Sequence, residues 1–265
     1  MQATGDDRWE HRIARARQLA GERASVRSIL TFYADLATWQ QSVVRRVEGD
    51  RSADRARGTE TLIAVAAAAV PEILGFLVER GPPLLQKDAA ALRDRGPDEW
   101  VAALGGRLDS SPAAPAAVTD AFVLDALVQP LLEALRPDVV EGGPTDTSAC
   151  PWCGAAPSLG VMRESGQSRR RWLVCGDCAL EYAWPRSLCP ACGERGFHAL
   201  PVYRAPEFPG VRVDACARCR SYVKSVDLSV EPTAVPPADD LASLALDLWA
   251  REQGYIRIRP SLFRI

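Results

Sequence analysis

Eight cysteines, all between residues 150 and 219, constrain this sequence more than any other feature. They form four Cys-x-x-Cys pairs, and no cysteine lies elsewhere in the 265 residues. The pairs are Cys150/Cys153, Cys175/Cys178, Cys189/Cys192 and Cys216/Cys219. A Cys-x-x-Cys motif places two thiolates on one tight turn, and two such turns can close a tetrahedron around a metal ion.

The spacing of the pairs favours one way of combining them. Loops of 21 and 23 residues separate the first pair from the second and the third from the fourth, whereas 10 residues join the second to the third. Sequential pairing lets each unit close its own hairpin, although both loops exceed the roughly 15–20 residues typical of such sites. A cross-brace, first pair with third and second with fourth, is the alternative. Gly154 and Gly193 follow two of the pairs and allow the turn that points N–H groups at sulfur.

Disulfides and redox chemistry are the alternatives to metal binding. The N-terminus lacks an apolar segment after a basic start, so we expect no secretory signal, a cytoplasmic protein and no lasting disulfides. A redox-active pair of thioredoxin type fits poorly with four pairs in two similar loops. We therefore predict two metal ions per chain. Four sulfurs suit zinc or iron equally, and zinc would be structural whereas iron would form a rubredoxin-like redox centre.

Other chemically active side chains carry weaker signals. His198 follows the third pair, but the sites already have four ligands, so we expect an ordinary surface or strand residue. His11 is expected to be solvated on an arginine-rich helix. Arg169, Arg170 and Arg171 follow a hairpin-tip composition, for which a solvated turn is the expected role and contact with an acidic partner the alternative. No phosphate-binding loop, dinucleotide fingerprint or nucleophile elbow is present, and we predict no enzymatic activity.

Residues 1–146 are predicted to form an all-helical domain. Apolar residues recur at a spacing near 3.6 between Ile29 and Val47, as on one face of a helix. Further helices are expected over 61–78, interrupted at Pro71, from Pro97 onward, and over 120–135. The longest apolar stretch is interrupted and falls short of the about 20 residues of a membrane helix, so we expect no membrane partner.

The rest of the chain has a different character. Pro137–Ser148 is rich in glycine, proline and small polar residues and predicts a domain boundary. Short alternating runs beside the cysteine pairs predict strands, within one module over 147–187 and another over 188–230. In the last segment, 231–265, Leu241, Leu244 and Leu248 predict one amphipathic helix over 239–251, followed by a short tail.

The predicted fold class is therefore α+β. An all-helical N-terminal domain precedes two small rubredoxin-like or zinc-ribbon modules and a C-terminal helix. Residues 147–230 hold 11 basic and 7 acidic side chains, whereas residues 1–146 hold 17 basic and 22 acidic ones. Because the modules are mildly basic, a nucleic-acid-binding zinc-ribbon protein stays open as an alternative, although the net charge of −2 makes nucleic acid the less expected partner.

Four stretches together resemble the FdhE family of formate dehydrogenase accessory proteins. They are CPWCGAAPSLGV from Cys150, RRWLVCGDCALEYAWPRSLCPACGE from Arg170, VRVDACARCRSYVKSVDL from Val211 and PADDLASLALDLWAREQGY from Pro237. Many zinc ribbons share the cysteine turns alone, whereas the third and fourth stretches are more specific. By position in the family's pattern, all eight cysteines carry over as metal ligands.

The resemblance implies a cytoplasmic maturation factor. Such proteins act on the catalytic subunit of respiratory formate dehydrogenases, which carry molybdenum or tungsten, before export through the twin-arginine pathway. The family is associated with iron binding through its Cys-x-x-Cys motifs. An electron-transfer partner is a further alternative if iron is the native metal.

Overall fold

The computed structural model describes residues 5–49, 59–109, 117–138, 148–166 and 168–264. Within these ranges, helices occupy the first half of the chain and strands most of the second. The helices are α1 (Gly5–Glu22), α2 (Arg27–Gly49), α3 (Thr59–Ala68), α4 (Val70–Arg80), α5 (Pro83–Leu92), α6 (Pro97–Leu108), α7 (Val118–Leu135), α8 (Pro236–Ala242) and α9 (Leu244–Glu252). The strands are β1 (Pro157–Ser165), β2 (Ser168–Cys175), β3 (Glu181–Ala183), β4 (Val202–Arg204), β5 (Val211–Ala215), β6 (Ser221–Asp227) and β7 (Ile256–Arg257).

The predicted interruption near Pro71 is confirmed. Helix α3 ends at Ala68 and α4 begins at Val70, which places Pro71 in the first turn of α4. Proline is tolerated there because the first helical N–H groups have no intrahelical acceptor. No single helix among the described residues is long and apolar enough to span a bilayer; α3 and α4 meet that test only as a pair bent by 42°.

The helical half is built around one apolar core. Phe32, Ile73, Leu77 and Phe122 are buried there with residues from α3 to α7. Helix α7 is buried on nearly every side, because it lies between the other helices and the first pair of cysteine turns. The predicted domain boundary, Pro137–Ser148, falls mostly on residues 139–147, outside the described residues.

All seven strands belong to one sheet. Its order is β3-β2-β1-β6-β5-β4, and β7 adds to the same edge of β6 as β1. Both halves of this order are antiparallel, and the parallel pair β1–β6 joins them, with Leu159 opposite Lys224. The strands of residues 147–187 therefore share a continuous hydrogen-bonded sheet with those of residues 188–230.

The single C-terminal helix predicted over 239–251 is wrong. The chain forms two helices, α8 and α9, separated at Ser243, whose hydroxyl donates to the carbonyl oxygens of Asp239 and Asp240. The break restarts the helical period, so the three predicted leucines do not share a face. Leu241 is buried, Leu244 is half-buried and Leu248 is 49% exposed.

The last residues are part of the core, although the sequence predicts only a short tail. The ring of Phe263 contacts those of Phe32, Tyr33 and Phe122, with centroids 5.9, 6.1 and 5.9 Å away. Arg257 forms ion pairs with Asp240 and Asp247 on α8 and α9. The tail therefore connects the helical half to the C-terminal helices and the sheet.

Candidate metal centres

The eight cysteines lie in two groups of four. The first cluster is Cys150, Cys153, Cys175 and Cys178, and the second cluster is Cys189, Cys192, Cys216 and Cys219. Within each cluster all sulfur atoms lie within 4.8 Å of one another, and all eight are free thiols. The sequential pairing is confirmed, and the cross-brace is contradicted.

The four cysteine turns share one backbone pattern. In each, the amide of the first cysteine donates to the carbonyl five residues later, and the amide four residues later donates back to the carbonyl of that cysteine. The eight distances range from 2.9 to 3.2 Å. The residue four positions after the first cysteine has a positive φ in every turn: 75° at Gly154, 54° at Ala179, 73° at Gly193 and 59° at Arg220. Glycine accepts this left-handed conformation without strain, whereas alanine and arginine do not.

The spacing of the sulfurs fits a tetrahedral metal ion. Bonds of about 2.3 Å to zinc place the sulfurs of a tetrahedron about 3.8 Å apart. In the second cluster Cys189–Cys219 and Cys192–Cys216 are each 3.8 Å apart. In the first cluster the corresponding distances run from 3.3 Å for Cys153–Cys175 to 3.6 Å for Cys150–Cys178. Each cluster could therefore hold one metal ion.

The electrostatics of the first cluster also favour a cation. Side-chain hydrogen bonds with Cys153 and its neighbours lower the pKa of Cys150, and those with Cys150 and Cys153 raise the pKa of Cys178. Four adjacent thiols share negative charge and cannot all ionise without a counterion. A bound divalent ion removes that restriction, because a coordinating thiol is deprotonated outright.

The first cluster lies between the sheet and the helical half. Cys150, Cys175 and Cys178 are buried, and Leu132 of α7 packs against them. The Gln129 side chain donates to the Gly176 carbonyl over 3.0 Å, which joins α7 to the second turn. The surrounding protein therefore covers the first cluster.

A carboxylate inside the second turn extends these contacts. Asp177 is 7% exposed and forms ion pairs with Arg107 of α6 and Arg259 of the tail. Arg107 also pairs with Asp125 of α7 at 2.6 Å. The sequence pattern alone does not identify Asp177 as a functional residue. Its position within the Cys-Gly-Asp-Cys turn was visible, but the two arginines come from distant parts of the chain.

The second cluster is more open. Cys189 and Cys216 are buried, whereas Cys219 is half-buried and Cys192 is exposed. Burial raises the pKa of Cys189 to about 12. The same burial acts on Cys219, but hydrogen bonds with Ser221 and the neighbouring thiols outweigh it and lower the pKa of Cys219 to about 7. The exposed thiol, Cys192, borders on solvent.

The remaining candidates divide into surface and structural residues. His11 and His198 are exposed, as the sequence predicted. The solvated role predicted for Arg169–Arg171 is wrong for Arg171, which is 4% exposed and donates to the carbonyl oxygens of Pro185 and Leu188 over 2.7 and 2.9 Å. Arg169 pairs with Asp227 at 3.2 Å, and Arg170 alone is exposed without an ion-pair partner among the described residues.

Comparison with known proteins points to one family. Residues 188–263 match the family described as FdhE, C-terminal domain. The Protein FdhE homolog of Aquifex aeolicus is 28% identical over 191 residues, which cover 70% of this chain and 65% of that protein. The homolog of Stutzerimonas stutzeri is 36% identical over 62% of this chain and 53% of its own length. The chain thus spans between half and two thirds of these relatives.

A further relative and a solved structure match most of the chain. The Protein FdhE homolog of Pseudomonas putida is 30% identical, and the alignment covers 96% of this chain and 86% of that protein. The crystal structure of the FdhE protein from Pseudomonas aeruginosa aligns with a TM-score of 0.69 and 25% identity, over 100% of this chain and 97% of that one. On these grounds, with the two four-cysteine clusters in place, the chain belongs to the FdhE family.

Proposed function

We propose that this protein is a cytoplasmic accessory factor for the maturation of formate dehydrogenase. In this proposal it binds the catalytic subunit before export and does not turn over a small molecule itself. All eight cysteines ligate metal, one iron or zinc ion in each cluster. The observation that carries the proposal is the pair of four-cysteine clusters in a chain of the FdhE family.

The chemistry of the clusters supports a binding role. Four protein sulfurs complete a tetrahedron and leave no position for a substrate, which is the arrangement of structural metal sites. The ion would hold two turns together in each cluster, and the residues of the turns would present a fixed surface. If the ion is iron, the exposed second cluster could also exchange electrons with the client.

The test is an affinity purification under anaerobic conditions from a strain that expresses its own formate dehydrogenase. We expect the catalytic subunit to co-purify with the wild-type chain, and metal analysis to give two ions per chain. A variant with Cys216 and Cys219 replaced by serine serves as the matched sample. Failure to recover the subunit, together with intact formate oxidation after deletion of the gene, would overturn the proposal. Recovery of nucleic acid with a steep salt dependence would support the zinc-ribbon alternative.

A further inference from the structure

A groove of about 660 Å³ lies beside the third cysteine turn. One side is formed by β2 and β5, and the other by the segments 183–187 and 195–202 that flank this turn. We call it the arginine groove, because six arginines and one carboxylate line it. Its volume falls within the range of about 300–1,000 Å³ in which proteins bind ligands.

The floor of the arginine groove holds two buried arginines and a single carboxylate. Its carboxylate, Asp214, pairs with Arg212 at 2.9 Å and with Arg171 at 3.5 Å. The Ser225 hydroxyl donates to the same side chain over 2.5 Å. Asp214 is therefore unavailable to neutralise any further arginine of the groove.

The rim carries the unpaired charge. Arg170, Arg186 and Arg195 line the groove from three different segments, and all three are exposed. Their guanidinium groups form no ion pair and no hydrogen bond with any residue that the structure describes. Three guanidinium groups without a carboxylate partner create a positive rim that favours an acidic ligand.

Apolar side chains lie next to this charge. Phe197 is 87% exposed and Val202 is 47% exposed, and both line the groove. An exposed phenylalanine beside unpaired arginines can accept one apolar side chain of a ligand while the arginines bind its acidic neighbours. A small inorganic anion would use the arginines alone and leave the apolar wall in water.

We propose that the arginine groove binds an extended acidic segment of a protein partner, anchored by one aromatic or leucine side chain. Where that partner is the formate dehydrogenase catalytic subunit, the inference rests on the proposed function. Nucleic acid fits less well, because stacking successive bases needs several free aromatic faces, and Phe197 alone among the aromatic side chains that line the groove is largely exposed. Trp184 is 4% exposed, and the guanidinium of Arg163 lies 5.7 Å from the ring centroid of Trp172.

The first test uses a fluorescein-labelled peptide rich in aspartate and glutamate with a single phenylalanine. Fluorescence anisotropy with the purified, metal-loaded chain should show binding that weakens as the salt concentration rises. Replacing Arg170, Arg186 and Arg195 together by glutamate should weaken it about tenfold or more, since three ion pairs are lost. The control variant combines Arg17→Glu, Arg93→Glu and Arg251→Glu, which are exposed positions outside the groove. It carries the same change of net charge and should bind the peptide as tightly as the wild type does.

Three results would overturn the proposal. These are equal binding by the two triple variants, no binding of the acidic peptide to the wild type, and tighter binding of oligothymidylate or inorganic phosphate than of the peptide. If circular dichroism shows that the triple glutamate variant of the groove does not fold, a triple glutamine variant takes its place, with Arg170→Gln, Arg186→Gln and Arg195→Gln. The outcome is then read in the same way.

The client experiment separates this inference from the proposed function. If the wild type recovers the catalytic subunit and the groove variant recovers it equally well, the groove is not its docking site, while the proposed function stands. If the wild type recovers no subunit, the proposed function fails, and the peptide titration alone decides whether the groove binds acidic segments.

Discussion

The two cysteine clusters have the same backbone but different surroundings. All four turns repeat one hydrogen-bond pattern and one left-handed residue. The first cluster nevertheless lies against α7, and ion pairs with Arg107 and Arg259 hold its second turn. The second cluster leaves Cys192 exposed, and the arginine groove lies beside its first turn.

This difference indicates that the two clusters, although built from the same motif, have different roles in the stability of the molecule. A metal ion in the first cluster would order a turn to which the helices and the tail are attached. Its loss should therefore destabilise the whole molecule. A metal ion in the second cluster would order a turn that borders on solvent. Its loss should therefore disorder mainly the surface around that turn.

The largest expected effect comes from removing one ligand of each cluster. Cys175→Ser and Cys216→Ser replace the first cysteine of equivalent turns, and both side chains are buried, at 2% and 1% exposure. Each variant should bind one ion instead of two. Structural zinc stabilises small zinc peptides by on the order of 10 kcal/mol. We expect Cys175→Ser to lower the Tm by more than about 10 °C and Cys216→Ser to lower it less.

Metal analysis and calorimetry would measure both quantities. Limited proteolysis should cut the helical half of Cys175→Ser but spare that of Cys216→Ser. Equal losses of Tm would contradict the different roles of the two clusters. A single substitution that emptied both clusters would contradict the observed grouping of the cysteines.

A second prediction concerns the buried charges on β6, the strand at the junction of the two half-sheets. Lys224 is fully buried and pairs with Asp240 at 2.8 Å and with Asp247 at 2.5 Å, and Arg257 contacts the same two carboxylates. Lys224→Met leaves two buried carboxylates with one cation, which should cost about 3–5 kcal/mol. Denaturant unfolding measures this loss, and metal analysis should still give two ions. A loss below 1 kcal/mol would show that these charges do not secure the C-terminal helices.

The third prediction compares equivalent residues within two turns. Asp177 and Arg218 are each the third residue of a Cys-x-x-Cys motif; Asp177 is buried, whereas Arg218 makes a surface ion pair with Glu194 at 3.2 Å. Asp177→Asn should lower the free energy of unfolding by about 1.5–3 kcal/mol, because it weakens charged hydrogen bonds to two arginines. Arg218→Gln should cost less than about 1 kcal/mol, as exposed pairs do. Equal losses in urea unfolding would show that the first cluster is no more tightly connected than the second.

The smallest effect is expected at the left-handed residues of the turns. Ala179 has a φ of 54°, where glycine avoids a steric cost of about 1–2 kcal/mol. Part of this gain is lost, because glycine has more freedom in the unfolded chain, so Ala179→Gly should stabilise by about 0.5–1 kcal/mol. The converse change, Gly154→Ala, should destabilise the folded chain. A lower Tm for Ala179→Gly would mean that packing of the methyl group outweighs the backbone strain.

Local sequence patterns predicted the two cysteine clusters and several helices of the first half of the chain. The spacing of the four pairs predicted both clusters and their sequential grouping, because each loop need only close its own hairpin. Proline placement predicted the break before α4 and the start of α6. Helical spacing predicted α2, whose apolar residues follow the 3.6-residue period, and a run rich in leucine predicted α7.

Such local patterns could not predict contacts between residues that are distant in the sequence. The parallel pairing of β1 with β6 joins Leu159 to Lys224, and no local signal encodes it. The break at Ser243 depends on its hydrogen bonds and on Lys224, whose ammonium donates to the Asp240 carbonyl over 2.7 Å. Phe263 packs in the core of the helical half, although the sequence predicts only a short tail at this position. In each case tertiary contacts decided the structure.

The rate at which a chelator removes metal from the wild-type chain tests the account most directly. We expect two ions per chain and two phases of equal amplitude, with the fast phase from the second cluster and the slow phase from the first. Cys216→Ser should therefore lack the fast phase, and Cys175→Ser should lack the slow one. Release in a single phase, a fast phase that survives in Cys216→Ser, or fewer than two ions in freshly reduced protein would contradict the account.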